Sequence, residues 1–154
     1  MVRLNELPEH ERDHLLSKEC PPFATQPWVT GPPLAQRRVA LITSAGLHRR
    51  GDQHFYTRTG AYRVIPSDIE GRELVMSQVS VNFDRTGFQQ DINVVLPIDR
   101  LRGLHQDGVI GSIATHHYSF MGAGIMPEKL EPTAREVAAL LRQDGVDAVL
   151  LTPV

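Results

Sequence analysis

Thiol chemistry is almost missing from this sequence. Cys20 is its only cysteine, which excludes an internal disulfide and any C-x-x-C redox or zinc motif. The plain reading of Cys20 is a small residue under a proline-rich loop, and a reducing, cytoplasmic compartment is the default that follows. Long apolar runs are missing as well. Nothing approaches the roughly 18–20 residues that span a bilayer, and Met1-Val2-Arg3-Leu4-Asn5-Glu6 lacks the apolar core of a signal peptide. Charge of one sign is not in excess either. A net charge of −2 and a pI of about 6.4 argue against nucleic-acid and anionic-membrane surfaces, which need clustered Lys and Arg. Lysine occurs only as Lys18 and Lys129, and no function follows from that.

What is present fits one soluble globular domain. The 154 residues, 41% hydrophobic and 22% charged, are enough to bury roughly 70% of the surface that the unfolded chain exposes. Residues 1–36 stand apart: a short helix within Leu7–Glu19, with Pro8 in its first turn, leads into an extended Pro-rich arm. Phe23 and Trp28 are large enough to anchor that arm, and packing on the body is the favoured arrangement. Residues 37–154 alternate strand and helix. Arg38 to Ser44 is a continuous apolar run of the kind found in a parallel sheet covered on both faces. Further core strands are expected at Val75–Val79, Val109–Ile113 and Ala148–Leu151, with an excursion of strand character at Tyr62, Val64 and Ile65. Helices are expected near Ile98–Gln106 and Thr133–Gln143, closed by Gly108 and Gly145. This alternation predicts an α/β fold, a three-layer domain with a mostly parallel central sheet.

Three loops after predicted strands carry polar chemistry. The first, Thr43-Ser44-Ala45-Gly46-Leu47-His48, offers backbone N–H groups and hydroxyls to an anion, but equally reads as an ordinary strand-to-loop turn. Neither G-x-G-x-x-G nor a P-loop lysine is present, so dinucleotide and triphosphate binding are poorly supported. The second holds Asp84 and Arg85, where an arginine grips a substrate carboxylate or the two residues pair with each other; Asp91 is read as a cap. The third, Thr115-His116-His117-Tyr118-Ser119-Phe120-Met121-Gly122, has two histidines, a tyrosine and a serine. Adjacent histidines diverge and no H-E-x-x-H spacing exists, so no metal site is expected. Without a G-x-S-x-G elbow a serine-hydrolase triad is weak. In a parallel sheet all strand ends share one rim. Ser44, His48, Asp84, Arg85, His117 and Tyr118 are therefore expected to converge near Pro153-Val154, with His116 in the third loop beside them.

The ordered combination Val79-Ser80-Val81-Asn82-Phe83-Asp84-Arg85-Thr86, Asp91-x-Asn93-x-x-x-Pro97-Ile98-Asp99-Arg100-Leu101, Gly108-Val109-Ile110-Gly111 and His117-Tyr118-Ser119-Phe120-Met121-Gly122 is more specific than any one of these loops. With the Pro-Pro-Phe…Pro-Trp arm and Ala45-Gly46-Leu47-His48, it resembles the glycine/sarcosine/betaine/D-proline reductase selenoprotein B family, and most closely its short, D-proline-reductase-like branch. The resemblance implies an α/β subunit of a multi-subunit reductase that cleaves a carbon–nitrogen bond reductively. It implies a selenocysteine or cysteine as redox centre, a pyruvoyl group on a partner subunit and a thioredoxin-like or dithiol donor. His117 and Tyr118 are then the candidates for catalysis, and Ser44, His48, Asp84, Arg85 and His116 for holding substrate, with Arg49 and Arg50 adding positive charge.

In that family the redox residue directly follows a strand like Ala148-Val149-Leu150-Leu151-Thr152-Pro153-Val154. The expectation is therefore that it lies beyond Val154, encoded by a UGA codon, with the C-terminal part of the family domain absent here. The resemblance also departs at Ser77-Gln78, where the family pattern reads Ser-His; an amide hydrogen-bonds but does not titrate. Two classes of function remain: a selenol- or thiol-dependent reductase subunit, or a redox-inactive module that binds a small carboxylate or a partner. Nucleic acid and membrane are not expected partners, and a homo-oligomer is compatible with either class.

Overall fold

The computed structural model describes residues 3–17, 22, 24, 26–57, 59–80, 83 and 85–154. Cys20, Phe23, Asn82 and Asp84 lie outside the described residues. The chain divides into two units, Met1–Thr30 and Gly31–Val154. In the first, helix α1 (Glu9–Leu16) starts directly after Pro8, which stands at the N-cap rather than in the first turn.

The second unit is built on β1 (Arg38–Thr43), whose uninterrupted apolar sequence matches its place at the centre of a mixed sheet. Along one edge it pairs in parallel with β7 (Ala148–Thr152), from Val39 opposite Ala148 to Thr43 opposite Thr152. Its other edge is shared. The short β5 (Ser112–Ile113) lies beside Arg38 and Val39, and β6 (His116–Phe120) beside Ile42 and Thr43, both parallel. An outer strand, β3 (Tyr62–Pro66), runs antiparallel to β6. The architecture is α/β with mostly parallel strands, as the alternation predicts.

Successive residues of β1 feed opposite faces of the sheet. Val39 and Leu41 join a core with Ile98 and Leu101 of α3 (Ile98–Gln106), while Ala40 packs with Tyr118 and with Val137 and Leu141 of α4 (Pro127–Gln143). The sheet is thus sandwiched between helices. Gly108 and Gly145 follow α3 and α4 at φ 70° and 69°, left-handed closures that glycine makes without strain.

The structure differs from the sequence reading in several places. The core strand expected at Val109–Ile113 is only Ser112–Ile113, and Leu47–Arg49 of the first loop is a strand. The segment around Val75 forms no core strand of the main sheet. Instead β4 (Leu74–Met76) pairs antiparallel with β2 (Leu47–Arg49) in a separate two-stranded sheet; a three-residue apolar run has no period to distinguish the two cases. Helix α4 starts before Pro132, at Pro127. Proline so near a helix start removes one bond only, and Thr133 Oγ1 ties this end to the Gly60 carbonyl at 2.6 Å. The run His116–Phe120 is a strand, not a loop. Finally, β7 is apolar yet exposed: Val149, Leu150 and Leu151 are accessible, and only Ala148 of this strand reaches the helix-covered core.

Candidate functional site

The C-terminal edge of the parallel strands gathers backbone and side chains from four segments. Ser44, just past β1, accepts the Val154 N–H on its Oγ at 2.8 Å, and its own N–H donates to the Thr152 carbonyl at 3.2 Å. Its carbonyl accepts the Gly122 N–H from the end of β6 at 3.0 Å and the side-chain amide of Gln78 at 3.3 Å. Gly122 must be glycine at this approach: a Cβ there would stand 2.8 Å from the Ser44 Cβ. Gln78 is 5% exposed, and its carboxamide oxygen accepts the Ser80 N–H at 3.2 Å. Arg85, at the start of α2 (Thr86–Gln90), donates to the Gln78 backbone carbonyl at 2.5 Å. It is exposed and forms no ion pair among the described residues. The Ser44 hydroxyl donates in turn to the Val154 carbonyl at 3.3 Å and the Gln78 amide is spent on Ser44, so the exposed Arg85 guanidinium is the group of this rim suited to a small anion.

Of the residues expected to converge, Ser44 and Arg85 meet here through Gln78, and Asp84 lies outside the described residues. The others are placed by strand geometry. Because β6 runs parallel to β1, His116 at its start sits at the opposite end of the sheet, exposed and paired with Pro66. His117 is wholly buried. Its Nδ1 accepts the Leu41 N–H at 3.1 Å, filling the gap on β1 between its pairings with β5 and β6. The neutral ring then carries its proton on Nε2, which has no partner among the described residues. Burial, with the charges of Arg102 and His116, lowers its pKa to about 4 against the pull of Asp144. This ring is neutral at physiological pH.

Tyr118 projects to the α4 side, edge-on to Tyr62 at 6.0 Å. Burial, Asp144 and Tyr62 raise its pKa, which keeps it a phenol. His48 is buried in β2, where Nδ1 meets the Arg49 carbonyl at 2.9 Å and Nε2 meets Ser77 Oγ at 2.7 Å. Arg49 pairs with Asp52, and Arg50 donates to the Arg72 carbonyl. Asp91 accepts the Asn93 N–H at 2.9 Å, the capping role read from sequence.

Ser77 and Gly122 were not singled out for the site by the sequence. The signal for Ser77 was present only as its neighbour Gln78. Among the described residues no group of three or more metal-ligating side chains comes together, and no helix is long and apolar enough to cross a membrane.

The profile of the family described as glycine/sarcosine/betaine reductase selenoprotein B matches residues 25–154. The chain is 38% identical over 121 residues to D-proline reductase subunit gamma of Acetoanaerobium sticklandii, covering 77% of this chain and 49% of that one. It is 30% identical over 125 residues to betaine reductase complex component B subunit beta of Peptoclostridium acidaminophilum, covering 77% and 28%. A glycine reductase complex component B subunit gamma from Symbiobacterium thermophilum is 30% identical over 123 residues, covering 77% and 29%. The chain thus spans about half the length of the first relative and under a third of the other two. No solved structure matches it. With a profile match across most of its length and several reductase subunits as relatives, this chain belongs to the glycine/sarcosine/betaine reductase selenoprotein B family.

Proposed function

We propose that this chain forms the substrate-facing rim of a cytoplasmic reductase subunit that works with other subunits to cleave a carbon–nitrogen bond in a small amino-acid-like substrate. A dithiol or thioredoxin-like system is the proposed reductant. The observation that carries the reading is the cluster of Ser44, Gln78 and Arg85 beside Val154 at the C-terminal edge of parallel strands, in a chain whose relatives carry the names of D-proline, betaine and glycine reductases. The substrates in those names share a carboxylate next to a nitrogen-bearing carbon. An exposed arginine suits that carboxylate.

The redox thiol or selenol is proposed to act at this same edge, and a pyruvoyl group to be supplied by a partner subunit. An ionised selenol or thiol supplies nucleophilicity and electrons. The exposed Arg85 cation fits its negative charge. A second reading, a redox-inactive module for a small carboxylate or a partner, draws on Gln78, a neutral amide at the centre of the rim.

Reconstitution of the chain, as encoded in its genome, with neighbouring reductase subunits and dithiothreitol tests the proposal. Substrate-dependent release of an amine product, weakened by Arg85→Gln mainly through KM, is expected. Substrate binding without any product from an intact assembly favours the binding module.

A further inference from the structure

We propose that His54, Ser77 and His48 form a proton relay that opens beside the rim and serves the nitrogen released in the reaction; this use of the relay rests on the reductase reading. The geometry sets its direction. A carbonyl oxygen only accepts, so the 2.9 Å contact of His48 Nδ1 with the Arg49 carbonyl places a proton on Nδ1. Nε2 of the neutral ring is then an acceptor, and at 2.7 Å it takes the Ser77 hydroxyl proton. With its hydrogen committed, Ser77 Oγ accepts from His54 Nδ1 at 3.2 Å. The two rings stand edge to face, 4.9 Å between centroids. His54 Nε2 is left with a lone pair and no partner among the described residues, on an exposed side chain.

The step balances without any co-reactant. A proton arriving at His54 Nε2 sends the Nδ1 proton to Ser77 Oγ, and the serine's own proton passes to His48 Nε2. His48 becomes an imidazolium still anchored on the Arg49 carbonyl, and the reverse sequence returns the proton. His54 is the end that meets substrate, while Ser77 and His48 act through it.

Position ties this relay to the rim. The Ser77 N–H donates to the Gly46 carbonyl at 2.9 Å, and the next residue, Gln78, holds the Ser44 carbonyl. The charged groups around the relay are the Arg49–Asp52 pair and Arg63 of β3, which donates to the His54 carbonyl at 3.1 Å; β6 meets β2 through Ser119, whose Oγ accepts the Leu47 N–H. Strand β4, which pairs with β2, contributes none.

Histidine-labelled ¹⁵N NMR on the full chain tests the relay directly. His48 and His54 should both be Nδ1–H tautomers, with the His48 Nε2 resonance displaced as a hydrogen-bond acceptor. Ser77→Ala should remove that displacement, and Ser77→Thr should restore it. An Nε2–H tautomer at His48, or a His48 Nε2 resonance unchanged by Ser77→Ala, overturns the proposal. In the reconstituted reductase, Ser77→Ala should lower kcat roughly 10²-fold with KM little altered, shift the pH profile, and be rescued by Ser77→Thr. An active assembly whose pH profile ignores Ser77→Ala also overturns it. A wild-type assembly that turns over no substrate counts against the reductase reading instead, and the NMR result then decides the relay alone.

Discussion

Leu41 and Leu150 face each other across two paired parallel strands, on the same side of one sheet, yet their surroundings differ completely. Leu41 is 0% exposed and Leu150 is 48% exposed. Leu41 packs in the cluster that Ile98 and Leu101 of α3 complete. On β7 only Ala148 reaches that cluster. The same residue type at the same register is a core residue on one strand and a surface residue on the next. Apolarity announces that a strand can be covered; the helix layer decides whether it is.

Cutting the side chain on the covered strand should give the largest effect. Leu41→Ala removes a fully buried side chain and leaves a cavity in a sheet-and-helix core, a loss of about 2–5 kcal/mol. Urea unfolding at neutral pH measures it, and a loss under about 1 kcal/mol would mean that α3 does not hold the cover the structure shows.

The covered side also carries a pH dependence that β7 lacks. His117 falls from its ordinary 6.5 to about 4 on folding, so between those values the unfolded chain binds more protons. Stability from this group is present above pH 6.5, declines as the pH falls, and is gone below about 4. The full span corresponds to about 3 kcal/mol. Asp144 and Asp91 also have lowered pKa values, so their own contributions vanish at lower pH, from below their ordinary range. Between pH 7 and 4.5 the wild type should therefore lose about 2–3 kcal/mol more than His117→Gln. Parallel stability curves for the two proteins would refute the assignment.

Sequence made β1 and α3 legible because their burial rests on local pattern: an unbroken apolar run, and a helix bracketed by Pro97 and Gly108. It misplaced β6 because His116-His117-Tyr118-Ser119-Phe120 alternates two polar, interior-facing groups with aromatic ones. Reading the stretch as a loop put His116 and His117 on the rim, whereas a strand sends neighbours to opposite faces. The buried polar side of that strand is satisfied at distance, His117 by Leu41 and Ser119 by the Leu47 N–H at 2.7 Å. Ser44 follows β1 and Arg85 precedes α2, and such element ends are where a sequence reading looks for exposed polar groups. The His48–Ser77 bond joins residues 29 positions apart, and no spacing rule encodes it.

At the other end of β1 a polar lock takes the place of packing. Asp144, just past α4, accepts Arg38 at 2.6 Å, the Thr115 N–H at 2.6 Å and the Thr115 hydroxyl at 2.8 Å. Burial pushes its carboxyl up, but these bonds and the Arg38 charge outweigh that and hold it below the usual range. Asp144→Asn keeps the shape and loses the charge, with one oxygen left to accept. A cost of about 1–2 kcal/mol is expected, shrinking in acid as the wild-type carboxylate protonates. An Asn variant as stable as wild type at pH 7 would show that the lock adds nothing to packing.

The smallest effect should come from β7 itself. Leu150→Ala removes a side chain that water already reaches, so only the part resting on the sheet is lost, about 0.5–1 kcal/mol in the isolated chain. Its register with Leu41 makes the pair a useful contrast, because register, face and residue type are shared while cover and central or outer placement in the sheet differ. The ratio of the two losses then measures what α3 contributes. Repeating Leu150→Ala with the reductase subunits present sharpens the point. A loss that stays small means that β7 remains an open edge in the assembly. A loss that rises toward the Leu41 value means that assembly supplies on β7 the cover that α3 supplies on β1. A loss above about 2 kcal/mol in the isolated chain would break the contrast, since it requires Leu150 to be buried without any partner.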